Sequence, residues 1–474
     1  MKLQREYPTH GRKTAFSVYV WFIIFGCLFF PVPVFADVDL LKNHIAAYNL
    51  EQHELRMSNA TYRGEEGVLG LNPEVAKAFG LKVVITRDYL KAMELYGQAE
   101  ALFEKAVEAA VSREKEQYPG EHIKKIEELA ILHNEVVSLA WDHMTTYRSK
   151  LTVENDERLD KKANFRLLEK MLKEEIEKAA YNLRNSLGNF YNRCQHHEKD
   201  GPLNLTNIGF VNYVFHAFLK EASPEAISGF DLDRCENKDT EDSWSVWKYA
   251  LGNSSSRFEL ILEEAFEKIP SAKKQVDILL FLALIRQESN FDPLNVSYVG
   301  AAGLTQIMPK TAKGLGMKNI FSPPYFKEAG ALLGRERKLK RKAKDLLLEV
   351  AESNRVELAK KVRGLMQESL DCKKKRKDLY IRYKRELLKD GKDERLNPKK
   401  AALYGLRYFS QMMRIQKGDM SLALASYNAG AHRVKQYKGI PPFEETIDFR
   451  NKILKYYRYY QERVEKNSSK QVKK

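Results

Sequence analysis

RQESNFDP, Arg286 to Pro293, and the stretch GAAGLTQIMPKTA that follows from Gly300 to Ala312, decide how this chain is read. The first puts one carboxylate, Glu288, at the end of an apolar helical run whose Leu280, Phe281, Leu284 and Ile285 share its face or adjoin it. Burial against those side chains penalises the ionised carboxylate and raises its pKa. A helix C-terminus acts in the same direction, because the dipole there disfavours negative charge. A carboxyl that keeps its proton near neutral pH is a general acid. The uncharged loop after it suits a large neutral substrate. The bland alternative is a surface Glu salt-linked to Arg286.

Working outward, Gly300 and Gly303 let backbone approach a ligand closely. Gln306 offers both a donor and an acceptor to a polar ligand, and Met308 can lie against a ligand's apolar face. Pro309 and Thr311 read as the start of a helix. A second block, ALASYNAG from Ala423 to Gly430, ends a helix at Gly430. Tyr427 and Asn428 there either close the helix end or turn toward Glu288. Asp292, followed by Pro293, reads as a turn residue, and no second carboxylate stands out in these blocks.

Together these motifs resemble the catalytic core of the soluble lytic transglycosylases. That family shares a Glu-Ser block carried here by Glu288, Ser289, Phe291, Pro293 and Ser297, a glycine-rich block matched by Gly300 to Ala312, a Tyr-Asn-Ala-Gly block at Tyr427 to Gly430, and an element matched by IPPFEET, Ile440 to Thr446. Four elements in order are far more specific than any one. The resemblance covers roughly 270–320 and 396–462 and implies a goose-lysozyme-like helical fold. It implies that Glu288 is the single acid/base, and that Ser297, Gln306, Met308, Tyr427, Asn428 and Glu445 line a glycan groove. The implied substrate is peptidoglycan, cut between N-acetylmuramic acid and N-acetylglucosamine to leave 1,6-anhydro ends. A lysozyme-like hydrolase and a non-catalytic envelope scaffold are the rival readings. The chain departs from the family at Thr305, where Met is usual and one wall of the site would change, and at Phe449, often Tyr. It also carries an insertion at about 322–395.

The expected class is mainly α. It comprises a helical bundle over 37–195, a connecting region over 196–256 and a lysozyme-like catalytic domain over 257–466 broken by the charged helical insertion, with a disordered basic tail over 467–474. Amphipathic helices are read at 86–115, 121–148 and 157–191, each with apolar residues at steps of three and four. The insertion reads as a helical, coiled-coil-like hairpin, with apolar spacing at Leu339, Ala343, Leu346, Val350, Leu358, Val362 and Leu365. Residues 335–395 hold 22 Lys and Arg against 12 Asp and Glu, most of the whole chain's surplus of +16. Such a face favours anionic wall polymer or membrane, its deletion is expected to weaken that attachment, and a solvated face with no partner is the alternative.

Lys2, Arg5, Arg12 and Lys13 precede an apolar run from Ala15 to Phe30, and Val34-Phe35-Ala36 resembles a cleavage site. This reads as an export signal over 1–36, with an uncleaved anchor as the alternative, and so places the chain in the cell envelope, as in a periplasm. In that compartment Cys194 and Cys235 are candidates to pair. Trp244 and Trp247 read as core cover, with stacking on sugar as the alternative. His196 and His197, near Cys194, hint at a metal but read as a solvated loop, and neither metal nor cofactor is expected. Nucleic acid is excluded, since no zinc-finger spacing or RNA-binding signature occurs.

Overall fold

Every regular element is a helix in the computed structural model, which describes residues 38–116, 118–195, 202–234, 248–251, 255–273 and 275–472. Extended backbone there pairs only in isolated bridges. The leader, His196, His197, Cys235, Trp244 and Trp247 lie outside the described residues. Cys194 is a buried thiol.

The elements fall into two series with the same order. The first runs through α1 (Val38–Ser58), the short α2 (Pro73–Ala78), the hairpin α3 (Arg87–Val111) and α4 (Glu121–Ser149), then α5 (Lys161–Lys178), α6 (Leu183–Cys194) and α7 (Ile208–Glu221). After α8 (Ser255–Glu267) the second runs through α9 (Ile278–Ser289), the short α10 (Pro309–Gly314), the hairpin α11 (Pro324–Leu348) and α12 (Arg355–Asp390), then α13 (Pro398–Ile415), α14 (Met420–Ala429) and α15 (Glu444–Val472). Side-chain caps fix matching starts. Asn182 accepts from the Asn185 amide at the head of α6, and Asp419 from the Leu422 amide at the head of α14. The helix expected over 157–191 is therefore two, because Ala180 and Tyr181 turn left-handed before Asn182. Ile208–Glu221, in the stretch expected to connect, is a packed helix whose Phe210, Val214 and Phe218 are buried.

The correspondence extends to single atoms. Asp-Glu-Arg-Leu occurs at 156–159 and again at 393–396, each time as one 3-10 turn before the next helix. Arg158 is fully buried and donates from Nη1 to the carbonyls of Gly64 (2.5 Å) and Leu71 (3.1 Å), and from Nη2 to Tyr147 (2.5 Å) and Asp156 (2.7 Å). Arg395, equally buried, donates from Nη1 to the carbonyls of Gly300 (3.0 Å) and Ile307 (3.1 Å), and from Nη2 to Tyr383 (2.6 Å) and Asp393 (2.8 Å). A Cβ on Gly67 would sit 2.1 Å from the Arg158 carbonyl, and one on Gly303 would sit 1.8 Å from that of Arg395. Only glycine fits at either place, both of which also have positive φ.

The hairpins pack on each other. Ala106, Ala109, Ala110, Ile126 and Ala130 of the first close over Ala343, Leu347, Val350, Ala359, Val362 and Met366 of the second. Arg113 pairs with Asp371 at 2.7 Å, and Arg363 donates to the Ala109 carbonyl at 2.9 Å. The apolar stripe expected in the charged segment therefore meets the first hairpin. Arg337, Lys338, Lys340, Arg341, Lys373, Lys374 and Lys377 remain exposed. The segment is also not removable as one piece, because Tyr383, Asp393 and Arg395 hold the Gly300–Ile307 loop.

A buried polar cluster joins the two series. Arg184 of α6 donates to both oxygens of Asp419 (3.2 and 2.5 Å) and to the Leu232 carbonyl (3.1 Å). Arg450 of α15 donates to Asp233 at 2.8 Å, and Asn182 donates to the other oxygen of Asp233 at 2.7 Å. Paired and hydrogen-bonded in this way, the buried charges avoid the penalty of isolation.

Candidate active site

Helix α9 is apolar nearly all round, so it runs through the core. Leu280, Phe281, Leu282, Ala283 and Leu284 have no exposed surface. Asp277 caps its start, and Asn290 ends it in a left-handed turn. Glu288 thus stands in the last turn with only part of its surface in solvent. Burial pushes its carboxyl well above the usual carboxylate range, and the Glu445 carboxylate adds to the shift. The carboxyl has no ion-pair partner among the described residues. Arg286 turns the other way, with its guanidinium 4.3 Å from the centre of the Tyr456 ring. The salt-linked surface Glu is therefore not what this residue is.

Ser289, beside Glu288, is buried and donates to the Leu304 carbonyl at 2.9 Å, which ties the helix end to the glycine-rich loop. Asn295 donates to the Glu288 carbonyl at 3.4 Å. The loop is braced from within. Gln306, at φ 44°, donates from its side-chain amide to the carbonyls of Asn295 (2.9 Å) and Gly303 (2.8 Å), leaving its oxygen as the group able to meet a ligand. Ser297 Oγ accepts from the Ala301 amide at 3.0 Å. Met308 keeps 36 % of its surface exposed before α10. Asp292 accepts from the Leu294 amide at 2.9 Å, as a turn residue does.

Tyr427 and Asn428 reach the same place from α14. The Tyr427 hydroxyl donates to the Thr305 carbonyl at 2.7 Å. Burial raises its pKa, with the neighbouring Glu288 carboxylate contributing. Asn428 Oδ1 accepts from Thr446 Oγ at 2.7 Å, which fastens α14 to the start of α15, where the exposed Glu445 faces Glu288. Phe449 stacks under Tyr427, with ring centroids 6.4 Å apart and planes 6° apart. Thr305 does not form a wall of the site, contrary to expectation. It is fully buried, donates to the Ala401 carbonyl at 2.9 Å, and fills the space left by Gly405.

The sequence reading missed the Arg395–Asp393–Tyr383 knot, which holds both ends of the loop bearing Gln306. Its signal was the second Asp-Glu-Arg-Leu. Another was the repeated Tyr-x-Gly-x-x-Gly, at Tyr62 to Gly67 and Tyr298 to Gly303.

The residues of this site fall within a known sequence family. Residues 266–329 and 339–449 match the family described as Transglycosylase SLT domain. The chain carries a transglycosylase SLT domain. That domain contains Glu288, the glycine-rich loop, the Tyr427–Asn428 helix end and Glu445, together with much of the α11–α12 hairpin. A protein named Transglycosylase from Enterobacteria phage PRD1 is 42% identical over 66 residues, 14% of this chain and 25% of the phage protein. The chain thus spans about a quarter of that relative's length. The crystal structure of the 70 kDa soluble lytic transglycosylase of Escherichia coli aligns over 96% of this chain and 76% of that one at 13% identity. Its TM-score is 0.26, and at that value the likeness carries no argument.

Proposed function

We propose that the protein is a peptidoglycan lytic transglycosylase in which Glu288 serves as both acid and base. The observation that carries this reading is a carboxyl with no ion-pair partner, made reluctant to ionise by burial, beside a loop and a helix end that offer neutral polar groups. Protonated Glu288 gives its proton to the glycosidic oxygen between N-acetylmuramic acid and N-acetylglucosamine. The bond to C1 of the muramyl sugar breaks, and positive charge develops on that sugar. Ionised Glu288 then takes the proton of the same sugar's C6 hydroxyl, whose oxygen bonds C1. The product is a 1,6-anhydro end, no water is consumed, and Glu288 regains its proton. Gln306, Met308, Asn428, Ser297, Tyr427 and Glu445 are the residues proposed to bind and orient the strand.

One observation favours a second reading. Glu445 lies close enough to Glu288 to raise its pKa, and two nearby carboxyls are the usual equipment of a glycoside hydrolase. In that case Glu445 would activate a water. Mass spectrometry of digested peptidoglycan separates the two: anhydro ends support the lyase and reducing ends the hydrolase. Glu288→Gln should sharply lower the yield of either product, and a variant that cuts like wild type would refute both.

The exposed basic face of α11 and α12 supports attachment to anionic wall polymer or an anionic membrane surface. Action in the envelope, as in a periplasm, follows from the proposed substrate and the expected leader. No helix among the described residues is long and apolar enough to cross a membrane.

A further inference from the structure

The first series of helices repeats the framework of the catalytic series without its chemistry. The match can be followed residue by residue into the site. Asn49 donates to the Val68 carbonyl at 2.9 Å, just as Ser289 donates to that of Leu304. Val68 and Leu304 each follow the glycine pressed against a knot arginine. Asn49 therefore holds the place of Ser289, and the preceding residue, Tyr48, holds that of Glu288. Counting from the matched caps Asn182 and Asp419, Phe190 and Tyr191 stand where Tyr427 and Asn428 stand. Gly70 takes the place of Gln306.

The place of Glu288 holds no carboxyl. Burial alone would raise Glu66, but the nearby His53 ring and the hydrogen bond from Tyr62 outweigh it and hold it below the usual range. Glu65 is paired with Arg56 at 3.0 Å. In place of the carboxyl the structure sets aromatic rings. Tyr48 and Tyr191 lie against Phe210, with centroids 5.3 and 5.0 Å away, and Tyr213 lies 5.3 Å from Tyr48. Phe210 is fully buried, Tyr48 and Tyr191 are half-buried, and Tyr213 is 39 % exposed. Flat faces with hydroxyls at their tips, part apolar and part wet, suit the alternating C–H and O–H surfaces of a sugar ring.

This patch is also connected to the catalytic groove. Asn212, next to Tyr213 on α7, donates to the Ile440 carbonyl at 2.8 Å and accepts from the Ile440 amide at 3.0 Å. Ile440 opens the short segment that leads to Glu445. We infer that the first helical series is a duplicated, catalytically silent copy of the second, and that its Tyr48–Tyr213 patch binds the glycan strand that Glu288 cuts. The inference rests on the proposed function for the identity of the glycan.

The test uses the full chain carrying Glu288→Gln, so that binding is read without digestion. Its cosedimentation with purified insoluble peptidoglycan is compared with that of the same chain also carrying Tyr213→Ala, and with a third carrying Tyr48→Ala as well. The dissociation constant should rise on the order of tenfold for the double aromatic change and by less for Tyr213→Ala alone, an exposed position whose loss leaves the fold intact. With Glu288 restored, the aromatic variants should cut short soluble glycan fragments at the wild-type rate and insoluble peptidoglycan more slowly. Unchanged binding by the folded Tyr213→Ala and double variants would overturn the inference, as would an equal loss on short fragments, which would mark a structural role. If Glu288→Gln still cut, the proposed catalysis would fail, while the change in dissociation constant would still decide whether the aromatic patch binds glycan.

Discussion

The two arginine knots differ in almost nothing, and the two sites they support differ in almost everything. Arg158 and Arg395 each bind one Asp, one Tyr and two loop carbonyls, and each lies against a glycine that tolerates no side chain. The loop of the second carries Gln306 and is tied to Ser289, next to Glu288, and the loop of the first carries Gly70 against Asn49, next to Tyr48. A framework of buried charge and close-packed backbone changes slowly, because any lost partner leaves an uncompensated group behind. The side chains it displays toward solvent carry no such penalty and are free to diverge.

The sharpest break between the halves is predicted at the paired positions themselves. Glu288→Gln should lower glycan cutting by about 100- to 10,000-fold, whereas Tyr48→Phe should leave cutting of short soluble fragments unchanged. Release of soluble fragments from labelled peptidoglycan measures the first, and a comparable loss from Tyr48→Phe would end the distinction between an active and a silent copy.

The knots should behave alike in stability and unlike in activity. Arg158→Met and Arg395→Met each strand a buried Asp and should each cost about 3–5 kcal/mol in denaturant unfolding. Only Arg395→Met should depress turnover under conditions where both variants stay folded. A cost confined to one of them would deny that the knots are equivalent.

Acidity sharpens the contrast further. Glu288 in the folded chain holds its proton above the ordinary carboxylate value of 4.5. The folded state therefore binds more protons than the unfolded state as pH rises past that value. Stability is lost across this window, by about 1.4 kcal/mol per pH unit at most, until Glu288 itself ionises. Glu288→Gln should gain on wild type over the same window in pH-dependent melting. Cutting should fall as pH rises through the raised value, and Glu445→Gln should move that fall to lower pH by removing the second cause of the shift.

The smallest effect concerns the hairpins. Reversing Lys373, Lys374 and Lys377 to Glu should weaken cosedimentation with peptidoglycan or anionic vesicles at low salt and flatten its salt dependence, with turnover of short fragments unchanged. Equal binding at every salt concentration would leave the face merely solvated.

Much of the second site was legible in the sequence. Glu288, Gln306, Tyr427 and Asn428 stand in local motifs, and Glu445 was named from the family those motifs resemble. Thr305 was misread because a motif gives the residue type at a position and not the direction of its side chain. Its hydroxyl points to Ala401, a partner 96 positions away. The repeat was overlooked for a related reason. Its matched residues, Asp156 with Arg158 and Asp393 with Arg395, are charged and read as surface until the carbonyls they satisfy are known. The apolar stripe of the charged segment was seen, but not what covers it, since amphipathic spacing names a buried face without naming its partner.

The tie between Arg184 and Asp419 reaches beyond the interface where it lies. Asp419 also starts the helix that ends in Tyr427 and Asn428, so that helix begins on a salt link to the other repeat. Two separate polypeptides would form such a link only as often as they met. Fused in tandem, the partners are always present, and the catalytic arrangement becomes independent of how dilute the enzyme is.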